Sequence, residues 1–171
     1  KGIVEKVMTD LEIVQGLAEL MENHSPMLRP YQPVAIVRQF RRTLLRELDF
    51  TYERRNLEEF AANFADDPTV HIPAVYRDLS SKRVVTMERL FGISGTDQSA
   101  LEASGQDLKE FAQRGANMYL EMVFRDALYH ADPHPGNLML LPNGVVGVLD
   151  CGMVGRIDEE LREDVESLLF A

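Results

Sequence analysis

Two acidic residues and one amide in the last third of the chain have the types and spacing that phosphoryl transfer requires. Asn137 lies five residues after Asp132, and Asp150 lies eighteen residues after it. Phosphoryl transfer needs a carboxylate near the attacking group and hard oxygen ligands for Mg²⁺. Kinase-type sites place an Asp and an Asn on one loop and a second Asp after the following hairpin. Here strand-like residues 138–141 and 145–149 flank a Pro-Asn-Gly turn, so the spacing predicts such a site.

Two other interpretations of this segment remain open at the level of the residues. His130, Asp132 and His134 alternate, as ligands of a transition metal can, but the prolines between them disfavour a strand that would put all three on one face. Alternatively, the Asp and Asn side chains only cap turns, which is common in loops. Asp150 at the end of the hairpin favours the phosphoryl-transfer interpretation over both.

The bulk composition limits the possible function classes. The chain has 171 residues, of which 45% are hydrophobic, and a formal net charge of −10, which indicates one domain or two small lobes and argues against nucleic-acid binding. No apolar run approaches the length of a membrane span. The single Cys151 fits a reducing compartment. Because the chain begins without Met and ends within an apolar run, we expect a fragment of a longer protein.

Apolar periodicity predicts three helices. The first spans residues 3–21 and presents a core-facing stripe, and residues 23–33, with three prolines, form a loop. The second begins near Pro33 and continues to about Phe64. The third covers residues 108–128 and forms the buried spine of the second lobe. The acidic residues Glu159, Glu160 and Glu163 suit the start of a further helix.

Short strands are predicted between the second and third helices. They cover residues 70–76 and 83–87 with a polar turn at 78–82, and Pro73 restricts the first to a sheet edge. A polar linker then runs from Gly92 to about Gln106, so we place the boundary between two lobes near residue 90. Residues 130–137 are predicted as a loop.

The second helix carries two acidic motifs. Glu47 and Glu53 are six residues apart, so on one continuous helix their side chains point about 120° apart and meet different partners. Asn56 shares the face of Glu53. Several arginines lie nearby in the sequence, so spacing alone also fits a solvated charged surface.

The chain resembles the UbiB family of AarF-related atypical kinase-like proteins. The sequence His-Ala-Asp-Pro-His-Pro-Gly-Asn at residues 130–137 is similar to the family's catalytic-loop signature. Glu47-Leu48-Asp49 matches its E-x-D motif, residues 53–56 match its E-x-x-N element, and residues 84–88 resemble the strand that enters the hinge between the lobes. The resemblance covers nearly the whole chain.

This resemblance implies an α+β, protein-kinase-like, mostly helical fold. Residues 1–90 would form the remainder of the N-lobe, and residues 91–171 the start of the C-lobe. It also implies a role for each matching position: Asp132 as the catalytic Asp, Asn137 and Asp150 as metal ligands, Glu53 as the partner of the nucleotide-binding Lys, Glu47 and Asp49 as the motif that meets an N-terminal extension, and Met87 and Glu88 as gatekeeper and hinge residues near the adenine.

Three departures qualify the match. The family's Lys-x-Gly-Gln extension, Ala-rich loop and nucleotide-binding Lys are absent, so the chain alone would lack half of an ATP site. Ala131 stands where protein kinases have Arg. Cys151 replaces the Phe of Asp-Phe-Gly, where it is either a reactive thiol or, as we favour, a small core residue.

The implied function is that of a kinase or ATPase that uses ATP and Mg²⁺ and supports ubiquinone or related isoprenoid-quinone biosynthesis. The expected partners are nucleotide, quinone-biosynthesis proteins and lipid or quinone precursors, at the bacterial cytoplasmic membrane or in a mitochondrion or plastid. One alternative is a non-catalytic, nucleotide-binding scaffold of a membrane complex. Another is an aminoglycoside-type phosphotransferase, against which the motifs between Glu47 and Asn56 argue.

Overall fold

The computed structural model describes residues 2–158 and divides the chain into two compact units. The first comprises Lys1–Asp49 and the second Phe50–Ala171. The predicted helix start at Glu159, Glu160 and Glu163 lies outside the described residues. The lobe boundary near residue 90 stays a prediction.

The first unit is a pair of helices. Helix α1 (Ile3–His24) and helix α2 (Pro33–Glu47) are joined by a loop with one 3₁₀ turn (Arg29–Tyr31). Leu11 and Ala18 are buried, but Val14 is 41% exposed. The predicted core stripe of α1 is therefore only partly buried.

The single helix predicted from Pro33 to Phe64 is wrong, since it is broken in two. Helix α2 ends at Glu47 and helix α3 (Phe50–Asn63) follows. The backbone N–H of Phe50 does not continue the helical ladder but donates to the carbonyl of Lys82 at 3.1 Å. The predicted angle of about 120° between the side chains of Glu47 and Glu53 assumed one continuous helix, so it does not apply to this structure.

The second unit contains a four-stranded sheet in the order β1-β5-β4-β2. Its strands are β1 (Val70–His71), β2 (Ile93–Ser94), β4 (Leu138–Leu140) and β5 (Val146–Val148). The pairs β4–β5 and β2–β4 are antiparallel, and β1 pairs with β5 in parallel. The predicted hairpin is confirmed. Strand β1 lies at the sheet edge, as predicted, but it ends at His71 rather than at Tyr76, so Pro73 lies outside it.

The segment between β1 and α5 differs from the prediction in two places. Residues 83–87 form no strand of the sheet but take part in two isolated bridges, Val75–Met87 and Ser81–Val84. The predicted polar linker contains β2 and a short helix α4 (Gln98–Ala103). Asp97 stabilises α4 by accepting a hydrogen bond from the Ala100 N–H at 3.0 Å.

Helix α5 (Leu108–Phe124) is shorter than predicted. It begins where the Asp107 carboxylate accepts hydrogen bonds from the first turn. It ends at Phe124 and not at Leu128, because Ala127 adopts a positive φ of 51° and strand β3 (Leu128–His130) pairs with β6 (Val154–Arg156). Part of the predicted loop 130–137 is therefore strand.

One hydrophobic core joins the helices of the second unit to its sheet. It contains side chains from α3, α5, β1, β3 and β5, including Leu57, Phe60, Met118, Met122, Val146 and Val148. Cys151 belongs to the same cluster and is fully buried, which confirms its interpretation as a core residue. The segment after the hairpin is thus anchored at Cys151, next to Asp150.

Within the described part of the chain, no helix is both long and apolar enough to span a bilayer.

Candidate functional site

The amide of Asn137 binds Asp132 in the loop between β3 and β4. Its Nδ2 donates to the backbone carbonyl and to the Oδ2 carboxylate atom of Asp132, both at 3.1 Å. A 3₁₀ turn at Pro135–Asn137 brings the two residues together, as the sequence predicts. Because Nδ2 is directed at Asp132, the Oδ1 atom of Asn137 remains available as a hard oxygen ligand.

His130 connects this loop to the end of the hairpin. Its Nδ1 accepts a hydrogen bond from the Asp132 N–H at 3.1 Å, and its Nε2 contacts the carbonyl oxygen of Asp150. Since Nδ1 accepts, the proton lies on Nε2, which donates to that carbonyl. The side chain is 3% exposed, so the imidazole is a buried brace and both of its nitrogens are engaged in hydrogen bonds.

Asp150 extends from the hairpin with its carboxylate open to solvent. Its Oδ1 accepts from the Gly152 N–H at 2.7 Å, and its Oδ2 makes no hydrogen bond to any residue that the structure describes, so it can bind a ligand. The Leu149 N–H donates to the carbonyl of Asn137 at 2.8 Å. The backbone therefore holds Asn137 and Asp150 on neighbouring segments.

Helix α3 supplies a third carboxylate, that of Glu53, and an anchoring hydrogen bond to this region. Burial and the negative charge of Asp150 raise the pKa of Glu53. One turn further on, the buried Asn56 donates from Nδ2 to the carbonyl of Cys151 at 2.7 Å. The E-x-x-N element thus places Glu53 beside Asp150 through the hydrogen bond that Asn56 makes.

Tyr119 on α5 lies within electrostatic range of the loop. Burial, together with the charges of Asp132 and Cys151, raises its pKa to about 12. Its phenol therefore stays protonated at neutral pH.

The remaining predicted site residues make other contacts or belong to the first unit. The Glu88 carboxylate accepts hydrogen bonds from His71 Nε2 at 3.0 Å and from the Ala74 N–H at 3.1 Å. Met87 packs against the core. Glu47 and Asp49 belong to the first unit. The structure thus brings together Asp132, Asn137, Asp150 and Glu53.

His130 and Asn56 hold this site together, and sequence reasoning assigned neither that role. They are the two buried polar residues among those that the structure describes. His130 bonds to the carbonyl of Asp150, and Asn56 bonds to the carbonyl of Cys151. Their membership in the two recognisable motifs was the available signal, but spacing alone does not show which carbonyl a side chain reaches.

The oxygen donors present fit Mg²⁺. Asn137 offers Oδ1 and Asp150 offers Oδ2, and Mg²⁺ typically takes one or two protein ligands and completes its octahedron with phosphate and water oxygens. Within residues 2–158, no three His, Cys, Asp or Glu side chains are grouped so that they could enclose a metal ion.

Comparison with known proteins identifies relatives along the entire chain. The profile of the ABC1 atypical kinase-like domain matches residues 1–171. A protein of Aliivibrio fischeri strain MJ11 described as "Probable protein kinase UbiB" is 36% identical over 169 residues, which is 95% of this chain and 31% of the relative. A protein of Cronobacter sakazakii with the same description is 36% identical over 163 residues. The chain thus spans about a third of the length of these relatives.

A solved structure has the same fold. Rv3197 of Mycobacterium tuberculosis, determined in complex with erythromycin, superimposes with a TM-score of 0.67 at 27% identity, over 94% of this chain and 42% of that one. The predicted mostly helical, kinase-like α+β fold is confirmed.

Proposed function

Because the chain belongs to the ABC1 family of atypical kinase-like proteins, we propose that it forms the metal- and phosphate-binding part of an ATP- and Mg²⁺-dependent kinase or ATPase. One observation carries this proposal: Asn137 bonds to Asp132 at 3.1 Å, and His130 fixes the same loop to Asp150. Three groups that phosphoryl transfer needs are thereby held by one hydrogen-bonded frame.

Each residue has a distinct role in this proposal. The exposed Asp132 carboxylate orients the attacking hydroxyl or water and accepts its proton, while the Asn137 amide holds that carboxylate in place. Asn137 Oδ1 and Asp150 Oδ2 hold the metal. When bound, Mg²⁺ bridges phosphate oxygens and offsets their charge.

In this proposal Glu53 forms an ion pair with a nearby cation. Its carboxylate lies in the field of Asp150 and is partly desolvated, both of which raise its pKa. A cation beside Glu53 would relieve this repulsion. By family resemblance that cation is the nucleotide-binding Lys.

The family resemblance also supports the other assignments. Met87 and Glu88 lie at the hinge near the adenine, Glu47 and Asp49 meet the N-terminal extension, and the two lobes meet near residue 90.

The names of the relatives support a role in quinone biosynthesis. We assign the chain to a protein that supports production of ubiquinone or a related isoprenoid quinone, by ATP hydrolysis or by phosphorylation of a lipid or quinone precursor. Its partners are nucleotide and quinone-biosynthesis proteins, and it works at a membrane, on the side that faces a reducing compartment. The family resemblance supports the role in quinone biosynthesis and the location at a membrane.

A chimera tests the proposal in a complete protein. The chain replaces its matching segment in the Aliivibrio fischeri relative, and phosphate release from ATP is measured with Mg²⁺ and a quinone-precursor mimic. Asp132→Asn should keep nucleotide binding and lower phosphate release by roughly 10²–10⁴-fold, because the proton acceptor is lost. Asp66→Asn, at an exposed position, is the matched control.

Two outcomes would contradict the catalytic assignment. If the Asp132→Asn chimera released phosphate at the rate of the Asp66→Asn control, Asp132 would not be the catalytic Asp. If the unmodified chimera bound nucleotide but released no phosphate, the non-catalytic scaffold would replace the enzyme.

A further inference from the structure

The two helices of the first unit leave large apolar side chains in contact with water. On α1, five of them are between 41% and 59% exposed: Ile13, Val14, Leu17, Leu20 and Met21. On α2 and the turn before it, three are between 55% and 70% exposed: Tyr31, Ile36 and Phe40. Monomeric soluble proteins rarely expose so many large apolar side chains together, and such a patch marks an interaction site.

These eight side chains lie on one side of the helix pair, and we call them the apolar face. On α1 they centre about 120° around the helix from buried Leu11 and Ala18, and on α2 about 100° from its partly buried residues, in the same rotational sense. The helices run antiparallel, since α2 begins beside the end of α1, where the Val34 N–H donates to the Glu22 carboxylate at 3.1 Å. In an antiparallel pair, rotations of the same sense turn both groups to the same side.

A groove of about 550 Å³ opens on the apolar face, between the turn and α2. Tyr31, Ile36 and Phe40 line it, together with smaller residues that include Ala35 and Thr43. Most of the lining that water reaches is apolar, because its three large apolar side chains are all more than half exposed. The groove can therefore receive apolar side chains from another helix, as the ridges of one helix pack into the grooves of a second.

Charged side chains of the two helices lie mainly on the opposite side. Four of them are exposed there: Glu12, Glu19, Arg38 and Arg42. Charges border the apolar face only at the end away from the groove: Lys6, Asp10 and Glu47. An anionic membrane surface binds helices whose apolar face is bordered by several Lys and Arg residues, whereas this border holds one Lys and two acidic residues. The arrangement favours a partner that is itself apolar and without strong charge.

We propose that the apolar face is the interface between two copies of this chain, whose helix pairs pack against each other as a four-helix bundle. Each copy presents the same face to the other, as in a two-fold symmetric dimer. Specific interfaces bury roughly 800 Å² on each partner, and eight large side chains that are 41–70% exposed offer an area of that order. The interface uses no residue of the acidic site, so it does not depend on the phosphoryl-transfer assignment.

Sedimentation equilibrium of the 171-residue chain tests for this dimer. As the concentration rises from about 1 to about 100 µM, the measured mass should increase from that of one chain toward that of two, because association follows mass action. A mass that stays at one chain throughout, or that grows beyond two chains, would overturn the proposal.

A pair of matched variants locates the interface. Leu17 on α1 and Leu120 on α5 are 55% and 54% exposed, and only Leu17 belongs to the apolar face. Leu17→Glu should weaken association roughly tenfold or more, because a carboxylate from each copy would enter an apolar interface. Leu120→Glu should associate like the unmodified chain. Equal weakening by both substitutions, or by neither, would overturn the proposal, and circular dichroism shows whether each variant keeps its fold.

Phe40→Glu tests whether α2 takes part in the interface. Because the apolar face spans both helices, this substitution should weaken association about as much as Leu17→Glu does. If the Phe40→Glu variant associated like the unmodified chain, the four-helix arrangement would be wrong.

Flotation with vesicles of phosphatidylcholine and phosphatidylglycerol tests a lipid surface as the occupant instead. The unmodified chain and the Leu17→Glu variant should float to the same extent, because the apolar face is reserved for a second copy. If the unmodified chain floated with the vesicles and Leu17→Glu abolished this, the apolar face would bind lipid and the dimer proposal would be overturned.

Discussion

The imidazole of His130 donates a hydrogen bond to the backbone carbonyl of Asp150, twenty residues further along the chain. Its other nitrogen accepts from the backbone of Asp132. One buried side chain thereby sets the relative position of the two carboxylates on which phosphoryl transfer would depend. Any displacement of this imidazole would change the positions of both carboxylates at once.

Replacement of His130 should destabilise the second unit. His130→Leu leaves the Asp132 N–H and the Asp150 carbonyl without their partner in a partly buried setting, which should cost about 1–3 kcal/mol of the free energy of unfolding. Urea denaturation measures this loss. His134→Leu, the same substitution at an exposed histidine of the same loop, removes only the exposed hydrogen bond that His134 Nδ1 accepts from the Gly136 N–H, so it should cost less than His130→Leu. Equal losses would show that His130 does not hold the loop and the end of the hairpin together.

Asp150→Asn should remove most Mg-nucleotide binding by the chimera described above. The substitution keeps the size of the side chain but removes the one anionic metal ligand of the proposed pair. Thermal unfolding in the presence and absence of Mg-ADP measures binding as a rise in Tm. Asp66→Asn should retain the full rise. If Asp150→Asn showed the same rise, the metal would bind through other residues.

Glu53→Gln should stabilise the chain at neutral pH. Folding raises the pKa of Glu53, so the folded state prefers the protonated carboxyl, and its contribution to stability is lost as pH rises through the folded-state pKa. The ionised residue therefore lowers the free energy of unfolding at pH 7. Glutamine, which stays neutral, removes that penalty, and its advantage should vanish below about pH 4.

Urea denaturation at pH 7 and at pH 4 measures this effect. Glu102→Gln, at an exposed position of α4, should show no such pH-dependent gain. In an Asp150→Asn background the gain from Glu53→Gln should shrink, because the neighbouring charge is gone. A gain that persisted in full would mean that burial alone raises the pKa of Glu53.

Cys151 should be inert in the folded protein. Its side chain is fully buried, and burial together with the charges of Asp150 and Glu53 raises the pKa of the thiol. Since the thiolate is the reactive form, iodoacetamide at pH 8 should modify the folded chain at least about 100-fold more slowly than the urea-unfolded chain. Mass spectrometry follows the modification. Comparable rates would indicate an open, reactive thiol.

The sequence by itself determined the features that depend on neighbouring residues. The spacing of Asp132, Asn137 and Asp150 predicted the phosphoryl-transfer pattern, and two short apolar runs around a Pro-Asn-Gly turn predicted the hairpin. Pro73 predicted an edge strand over residues 70–76, and β1 does lie at the sheet edge, although it ends at His71, before that proline. Turn preference and short apolar runs are local properties, so they can be recognised before the chain folds.

Only the tertiary structure decided the features that join distant segments. The long helix breaks because the Phe50 N–H bonds to Lys82, and α5 ends early because Leu128 pairs with Arg156. Asn56 reaches the carbonyl of Cys151, 95 residues away. Hydrogen bonds of this kind replace local helical ones when folding brings a buried partner close, and residue spacing cannot name that partner. The acidic site owes its residue types to the sequence and its geometry to these long-range bonds.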